Sequence, residues 1–207
     1  MKHIKIALTG KMRAGKDTVY KMIEDELNYP KAQVTQLSFG EQLKHYANEL
    51  FPYKVRDGKP RKLYQDFGQL MRQIDPDVWV NQVDELLEQQ EGYVFYFDKE
   101  ERGLVISVIT DLRQPNEYEY CKDNGFHIVR VNASDKARMV RMESTKDVVT
   151  VGDLNHETEQ HIDTYRVDYE IENEGLHTNA IYNLELQVEQ VLTDILKKEG
   201  VTDDQYK

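Results

Sequence analysis

Cysteine is almost missing from this chain: Cys121 is the only one in 207 residues. One thiol builds neither a disulfide nor a cysteine-based zinc site, and it fits a reducing compartment. Long apolar runs are missing too. Nothing approaches the ~18 apolar residues of a membrane span. The opening Met1-Lys2-His3-Ile4-Lys5 leads into a short strand without a signal-peptide core, so a cytoplasmic location is expected. Basic charge is in short supply, 27 Lys+Arg against 38 Asp+Glu, for a net charge of −11. Nonspecific binders of nucleic-acid polymers or anionic membranes usually carry the opposite surplus, which argues against both partners. There is no internal repeat or low-complexity tract, and no Ser/His/Asp or Cys/His pairing is evident.

What is present describes a folded domain. Hydrophobic residues make up 39% and charged residues 31%, and the length suits a single domain over 1–207 with mobile parts. The charge is unevenly placed. Residues 1–16 hold five basic side chains (Lys2, Lys5, Lys11, Arg13, Lys16) and no acidic one, and residues 54–72 are net +4. Residues 157–207 hold 13 acidic and four basic side chains, a net of −9, as expected of a solvated outer face. The acidity thus belongs to the outer surface and tail, and it leaves room for a basic island that binds small anions.

Strand-like runs stand at Ile4–Thr9, Gln33–Phe39, Leu104–Thr110, His127–Val131 and Tyr169–Ile171. Helical stripes lie between them: Val19, Met22, Ile23 and Leu27, then Leu43, Tyr46, Ala47 and Leu50. Asp75-Pro76 reads as an N-cap and first-turn proline before Trp79, Val83, Leu86 and Leu87. Ser134 is placed to cap a segment with Ala137 and Val140, and Ile181, Leu184, Val188, Val191, Leu192 and Ile195 form the longest helix. Alternating strands and helices predict a three-layer α/β fold, a mostly parallel sheet with ligands at the carboxyl ends of its strands. Residues 53–62 and 143–156 read as mobile flaps, and 88–103 as an exposed excursion, a hairpin in one reading.

The strongest motif is Gly10-Lys11-Met12-Arg13-Ala14-Gly15-Lys16-Asp17-Thr18, between a strand and a helix. Glycines at its two ends permit backbone angles that aim successive N–H groups at an anion. The helix that follows adds its positive end, and Lys16 is placed to bridge the β- and γ-phosphates of a nucleotide. Asp17 stands where Ser or Thr usually binds Mg²⁺; a carboxylate suits that ion directly or through water, and Thr18 remains a phosphate donor.

After the third strand comes Asp111-Leu112-Arg113-Gln114-Pro115-Asn116-Glu117. Asp111 could organise Mg²⁺ or its waters, and Arg113 could hold a phosphate bidentately. Asp111 and Glu117 also suit caps of the next helix. The basic stretch 54–72, with Lys44, Arg72 and Trp79 near it, suits capture of a phosphate ester carrying a flat group; a solvated loop and plain core packing of Trp79 are the alternatives. Arg138 and Arg141, three residues apart, would bring charge onto a transferring phosphoryl group from a mobile segment, or are simply an exposed helical pair. His156-Glu157 reads as a helix start, with His156 structural, and no further metal constellation is seen.

With these residues assembled, the chain resembles the deoxynucleoside monophosphate kinases of bacteriophages, within the P-loop nucleoside monophosphate kinase superfamily. The likeness runs from Ile4 to about Ile195, patchily over 52–62 and 88–103. It rests on Gly15-Lys16-Asp17-Thr18, Ser38-Phe39-Gly40 with Leu43-Lys44, Gln65 to Arg72 with Asp75-Pro76-Asp77 and Trp79, Asp111 to Glu117, and Asp168 to Asn173 and Gly175. The aspartate after the loop lysine, a misfit to the general pattern, is usual in this family. The resemblance implies phosphoryl transfer from ATP·Mg²⁺ to the 5′-phosphate of a deoxynucleoside monophosphate. Gly10, Lys11, Arg13, Ala14, Gly15, Lys16, Asp17 and Thr18 would hold ATP, with Asn173 and Gly175 on the adenine side. Lys44, Arg72, Trp79, Arg113 and Glu117 would face the acceptor within an acceptor region 53–90. Lys16, Arg13, Arg138, Arg141 and Asp111 would serve catalysis, the two later arginines in a lid over 134–160. Mg²⁺ would meet Asp17, with Asp111 in its outer shell. ATP and a nucleoside monophosphate are the expected partners, and a homodimer is compatible with this reading.

An acceptor phosphate is already ionised near neutrality, so alignment and charge neutralisation suffice and no strong base is needed. Dephospho-coenzyme A kinase shares the first loop and a late Asn-x-Gly, but its loop continues Lys-Ser-Thr. Animal-type phosphomevalonate kinase shares Gly-Lys-Asp, but residues 65–79 look more nucleotide-like. A nucleotide-binding regulator without turnover is the remaining alternative.

Overall fold

The computed structural model describes residues 2–56, 60–97, 103–144, 161–175 and 178–207, with the backbone alone over 91–97 and at residue 178. Its strands arise where β-branched and leucine-rich runs can be covered on both faces. They are β1 (Lys2–Thr9), β2 (Ala32–Leu37), β3 (Leu104–Leu112), β4 (His127–Asn132) and β5 (Tyr169–Glu172). All are parallel, in the order β2-β3-β1-β4-β5. The interior strand β3, between β2 and β1, is buried at every position from Leu104 to Thr110, as a strand covered on both faces requires.

Strand alternation divides the core. Ile4, Ile6 and Leu8 of β1 pack with Ile106, Val129 and Val131 against α1 (Lys16–Glu26) and the C-terminal helix α7 (Thr178–Lys198). Ala7, Ile109 and Ile128 face the other way, toward α2 (Phe39–Leu50), α4 (Val78–Phe97) and α5 (Pro115–Asp123). Two apolar layers on one sheet give the expected three-layer α/β architecture. Burying one Leu or Ile contributes roughly 1.5–3 kcal/mol, so these layers dominate folding. The last residues close the amino-terminal end of the sheet, with Tyr206 buried and edge-on to Tyr29 at 5.4 Å.

Four local expectations change. Phe39 opens α2 rather than ending β2, and that resets the helix's inward stripe to Phe39, Leu43 and Ala47. Tyr46 and Leu50, expected inside, are 41% and 62% exposed as a result. In place of the excursion expected over 88–103, α4 continues to Phe97, and 98–102 fall outside the described residues. No proline interrupts that stretch, and an established helix propagates cheaply through moderate formers. The basic stretch 54–72 is largely helix, since α3 runs Arg61–Ile74; the flap expected over 53–62 begins in a 3-10 turn at Pro52–Lys54 and ends in the first residues of α3, with 57–59 outside the described residues. Lastly, α6 (Asp135–Ser144) is capped as expected, the Ser134 hydroxyl accepting from the Ala137 N–H at 3.3 Å, yet Val140 is 43% exposed.

Candidate functional site

Parallel strands deliver their carboxyl ends to one edge of the sheet. There β1 releases the loop Gly10–Gly15, and β3, its hydrogen-bonded neighbour, releases Leu112 and Arg113. Thr9 and Leu112 are register partners, tied by the Thr9 hydroxyl donating to the Leu112 carbonyl at 3.0 Å. The two glycines of the loop are obligatory. Gly10 has φ +143°, and a Cβ there would lie 2.4 Å from the Val131 carbonyl oxygen. Gly15, at φ +103°, caps α1, and a Cβ would strike the Asn173 amide nitrogen at 2.2 Å. Both close approaches need a residue without a side chain. Arg13 also takes the left-handed region, at φ +66°.

Lys16, the first residue of α1, is buried, and its ammonium donates to the carbonyls of Gly10 at 2.5 Å and Lys11 at 3.3 Å. It is therefore folded back across the loop. Asp17 and Thr18 are exposed in the first turn of α1, where the helix end favours anions. That carboxylate and hydroxyl at the loop mouth are the donor types Mg²⁺ accepts beside phosphate oxygens and water. Among the described residues no group of three or more His, Cys, Asp or Glu side chains is arranged to hold a metal. A cage supplied mainly by the protein is thus not how these residues would bind one.

Later parts of the chain brace the loop. The Arg138 Nε donates to the Met12 carbonyl at 2.8 Å and its Nη1 to Asp135 at 2.8 Å. Arg141 Nη1 reaches the carbonyls of Arg13 (3.0 Å) and Ala14 (3.2 Å), while Nη2 reaches the Asn173 carbonyl (2.6 Å) and side-chain oxygen (2.8 Å). Asn173, itself buried, returns its amide N–H to the Ala14 carbonyl at 2.8 Å. Burial holds the Arg141 guanidinium below its ordinary range, and Glu174 partly offsets this. Instead of standing apart on a mobile segment, both arginines dock on loop carbonyls, and Asn173 lies against the loop itself. Lys11 adds an ion pair to Asp163 at 2.7 Å, a partner with no local signal in the sequence. The expected lid is described to Ser144; 145–160, with His156 and Glu157, lie outside the described residues.

At the end of β3, Asp111 caps a helix, but not the one that follows it. Its carboxylate accepts from the Ser38 hydroxyl (2.7 Å) and the N–H groups of Phe39 (2.8 Å) and Gly40 (2.9 Å), closing the first turn of α2. Glu117 does cap its own helix, accepting from the N–H groups of Arg113 and Gln114, each at 2.9 Å. Its other oxygen takes Arg72 at 3.2 Å. Burial pushes the Glu117 carboxyl above its ordinary value, Asp111 adds to this, and the two N–H groups and Arg72 oppose it. Glu117 is thus a buried anchor for Arg72 rather than an exposed ligand.

Trp79 is 3% exposed, packs with Phe67 and donates its indole N–H to the Gly68 carbonyl at 3.3 Å. That is core packing. Because Arg72 lies over Gly68, 3.4 Å from its Cβ position, Trp79 supports the helical turn beneath Arg72. Lys44 is exposed on α2, its Cε 3.9 Å from the Cβ position of Gly40, beside Asp111. Gly175 follows Asn173 and is partly exposed. Cys121 is buried, and burial pushes its thiol well up, so it offers no thiolate.

The fold has solved counterparts. It is similar to TT1252 from Thermus thermophilus, at 19% identity over 95% of this chain and 98% of that one, with a TM-score of 0.55. It is also similar to a sugar kinase from Janibacter sp. HTCC2649, at 12% identity, 97% and 99% coverage and the same TM-score of 0.55. These likenesses establish the three-layer P-loop kinase fold. No described helix is long and apolar enough to cross a membrane. No curated protein matches the chain by sequence. A family model does match, over residues 6–160, from the first strand through the phosphate loop and both arginines of α6, and by that match the chain belongs to the AAA domain family.

Proposed function

We propose that the protein transfers the γ-phosphoryl group of ATP to the phosphate of a (deoxy)nucleoside 5′-monophosphate, giving the diphosphate. One observation carries this reading: the two segments proposed here to hold anions, the loop after β1 and the Arg113 turn after β3, leave adjacent strand ends, with Thr9 bonded to the Leu112 carbonyl. Neighbouring strands stand about 4.8 Å apart, so two phosphates bound at these ends would lie side by side. Arg13, Gly15, Lys16, Asp17 and Thr18 would hold ATP. Lys44, Arg72 and Arg113 would receive the acceptor phosphate, within an acceptor region 53–90.

The state of the carboxylates favours a phosphate acceptor over a hydroxyl. A hydroxyl would need a base, but Asp111 is occupied by three donors at the start of α2 and Glu117 by two N–H groups and Arg72, and Asp17 is assigned to Mg²⁺ in this reading. A phosphate with second pKa about 6 needs no such help. Lys16 would leave two neutral carbonyls for the β,γ-phosphates, and Arg72 and Arg113 would aim the acceptor oxygen in line. Mg²⁺ bound beside Asp17 and Thr18 would neutralise triphosphate charge.

The test follows ADP formation from Mg²⁺·ATP with deoxynucleoside and nucleoside monophosphates, dephospho-coenzyme A, phosphomevalonate and a hexose as acceptors. Turnover with a nucleoside monophosphate is expected. Turnover with only a hydroxyl acceptor or phosphomevalonate would overturn the acceptor assignment, and ATP binding without any turnover would favour the regulator.

A further inference from the structure

A phosphate loop works only if its N–H groups face the anion, and each such N–H is fixed by the carbonyl before it. In a trans peptide the C=O and the following N–H point in opposite directions. Whatever anchors a loop carbonyl on one side therefore sets an amide on the other. Here three consecutive carbonyls, those of Met12, Arg13 and Ala14, all accept from arginines of α6. Anchoring Met12 and Ala14 toward α6 turns the N–H groups of Arg13 and Gly15 to the opposite side of the loop. The Ala14 N–H closes a turn on the Lys11 carbonyl at 3.0 Å, which keeps the loop narrow.

Arg141 does more than any other side chain in this arrangement. Its guanidinium spans four acceptors, two on the loop and two on Asn173, and Asn173 closes the ring with its own bond to Ala14. The ring joins the loop after β1, the helix after β4 and the turn after β5. It also holds Arg13 at φ +66°, a conformation a non-glycine residue rarely adopts unless its surroundings impose it. A planar five-donor fork can make these bonds together; a lysine ammonium cannot.

We propose that Arg141 is a positioning residue of the nucleotide site, which with Asn173 fixes the outward carbonyls of Arg13 and Ala14 and so preforms the phosphate loop, turning the Gly15 amide inward. The proposal rests on the reading of that loop as the ATP site. It assigns Arg141 to nucleotide binding through the backbone, not to contact with the phosphoryl group in flight.

The two roles separate in the split between binding and turnover. Mg²⁺·ADP would be titrated calorimetrically into wild type, Arg141→Ala, Arg141→Lys and Asn173→Ser, and the same proteins assayed with the best acceptor. In Arg141→Ala, ADP affinity falls about tenfold or more, the loss that removing one charge-assisted hydrogen bond produces, and KM for ATP rises in step. At saturating ATP, kcat falls no more than about threefold, because no transition-state contact is removed. Arg141→Lys recovers part of the affinity. Asn173→Ser shows the same split, and the Ala/Ser double variant loses little more than the worse single one, because both break one ring. Unchanged ADP affinity with kcat down about a hundredfold would overturn the proposal and make Arg141 a transition-state contact. If Arg141→Ala does not fold, the lysine and Asn173 variants decide by the same split. If wild type binds ADP but phosphorylates no nucleoside monophosphate, the kinase reading fails, while the ADP titrations still decide the role of Arg141.

Discussion

Around the phosphate loop, Lys16 ends on the neutral carbonyls of Gly10 and Lys11 and Arg141 on those of Arg13, Ala14 and Asn173, while Arg138 divides its donors between the Met12 carbonyl and Asp135, and Lys11 pairs with Asp163. At the end of β3 the charged groups meet one another or helix amides: Arg72 takes Glu117, and Asp111 takes the first turn of α2. The two halves sit on adjacent strands, yet they handle charge differently. The Lys16 charge, resting on carbonyls, is available to an arriving phosphate, which is the stronger acceptor, whereas Arg141 spends its donors on holding the loop backbone. Positive charge paired with a buried carboxylate is held in place, and its partner is left behind if it moves. The first arrangement suits a group that must engage the triphosphate, and the second a group that must stay aimed.

Removing Lys16 gives the largest effect this contrast predicts. Lys16→Ala should cut ADP formation about a thousandfold or more, the loss of a principal charge on the transferring group. Its melting temperature should move little, since the contacts it makes to Gly10 and Lys11 are with backbone carbonyls that water can satisfy. Stopped assays and a thermal melt check both parts. Unfolding at ambient temperature would mean that the carbonyl contacts carry structure, and the contrast would collapse.

Gly10→Ala should come next. A left-handed φ and a Cβ 2.4 Å from the Val131 oxygen should lower stability by about 2–4 kcal/mol in urea titration and abolish ADP binding. Glu117→Gln, on the other half, removes the carboxylate that Arg72 meets at 3.2 Å and should loosen the aim of Arg72 with little loss of stability, because burial already favours the neutral form of this side chain. Its kinetic signature is a raised KM for the acceptor with KM for ATP unchanged. A raised KM for ATP would show that the two halves are not independent.

The same contrast explains what could be read from sequence. Strand positions and the loop Gly10–Thr18 were legible because each is a contiguous pattern with one physical reading: apolar runs of strand length, and glycines bracketing a lysine before a helix. The braces were not legible. Nothing local in Arg141 or Asn173 tells that they meet Ala14, at sequence separations of 127 and 159. Asp111 carried a cap signal, but its helix is the one 71 to 73 residues earlier, brought alongside by the β2–β3 pairing. Trp79 was ambiguous because an indole suits a pocket wall and a core equally, and only its bond to Gly68 decides. Phe39 misled because one aromatic suits either the end of a strand or the start of a helix; taking it as helix moves the inward stripe away from Tyr46 and Leu50.

The smallest predicted effect concerns acid stability, and it opposes Glu117 to Glu199. Glu199 binds Lys2 at 2.9 Å and His127 at 3.0 Å, tying the end of α7 to the amino ends of β1 and β4. The hydrogen bond from Lys2 and that from His127 hold its carboxyl below the ordinary value of 4.5. A carboxyl depressed by folding binds fewer protons folded than unfolded, so its stabilisation is present above 4.5 and is lost as pH falls through the folded value. Glu117 has the reverse sign. Its folded value lies above 4.5, so the folded state takes up its proton first, and acidification from that value down to 4.5 adds stability. Glu199→Gln should therefore flatten the loss of stability below 4.5, by less than about 1 kcal/mol because Lys2 is well exposed. Glu117→Gln should remove the gain between its folded value and 4.5 and leave the steeper acid limb unchanged. Urea titrations at several pH values measure both slopes. Parallel curves for the two variants would show that neither carboxylate titrates with the folding transition, and the distinction between a charge held in the site and one holding the frame would lose its electrostatic basis.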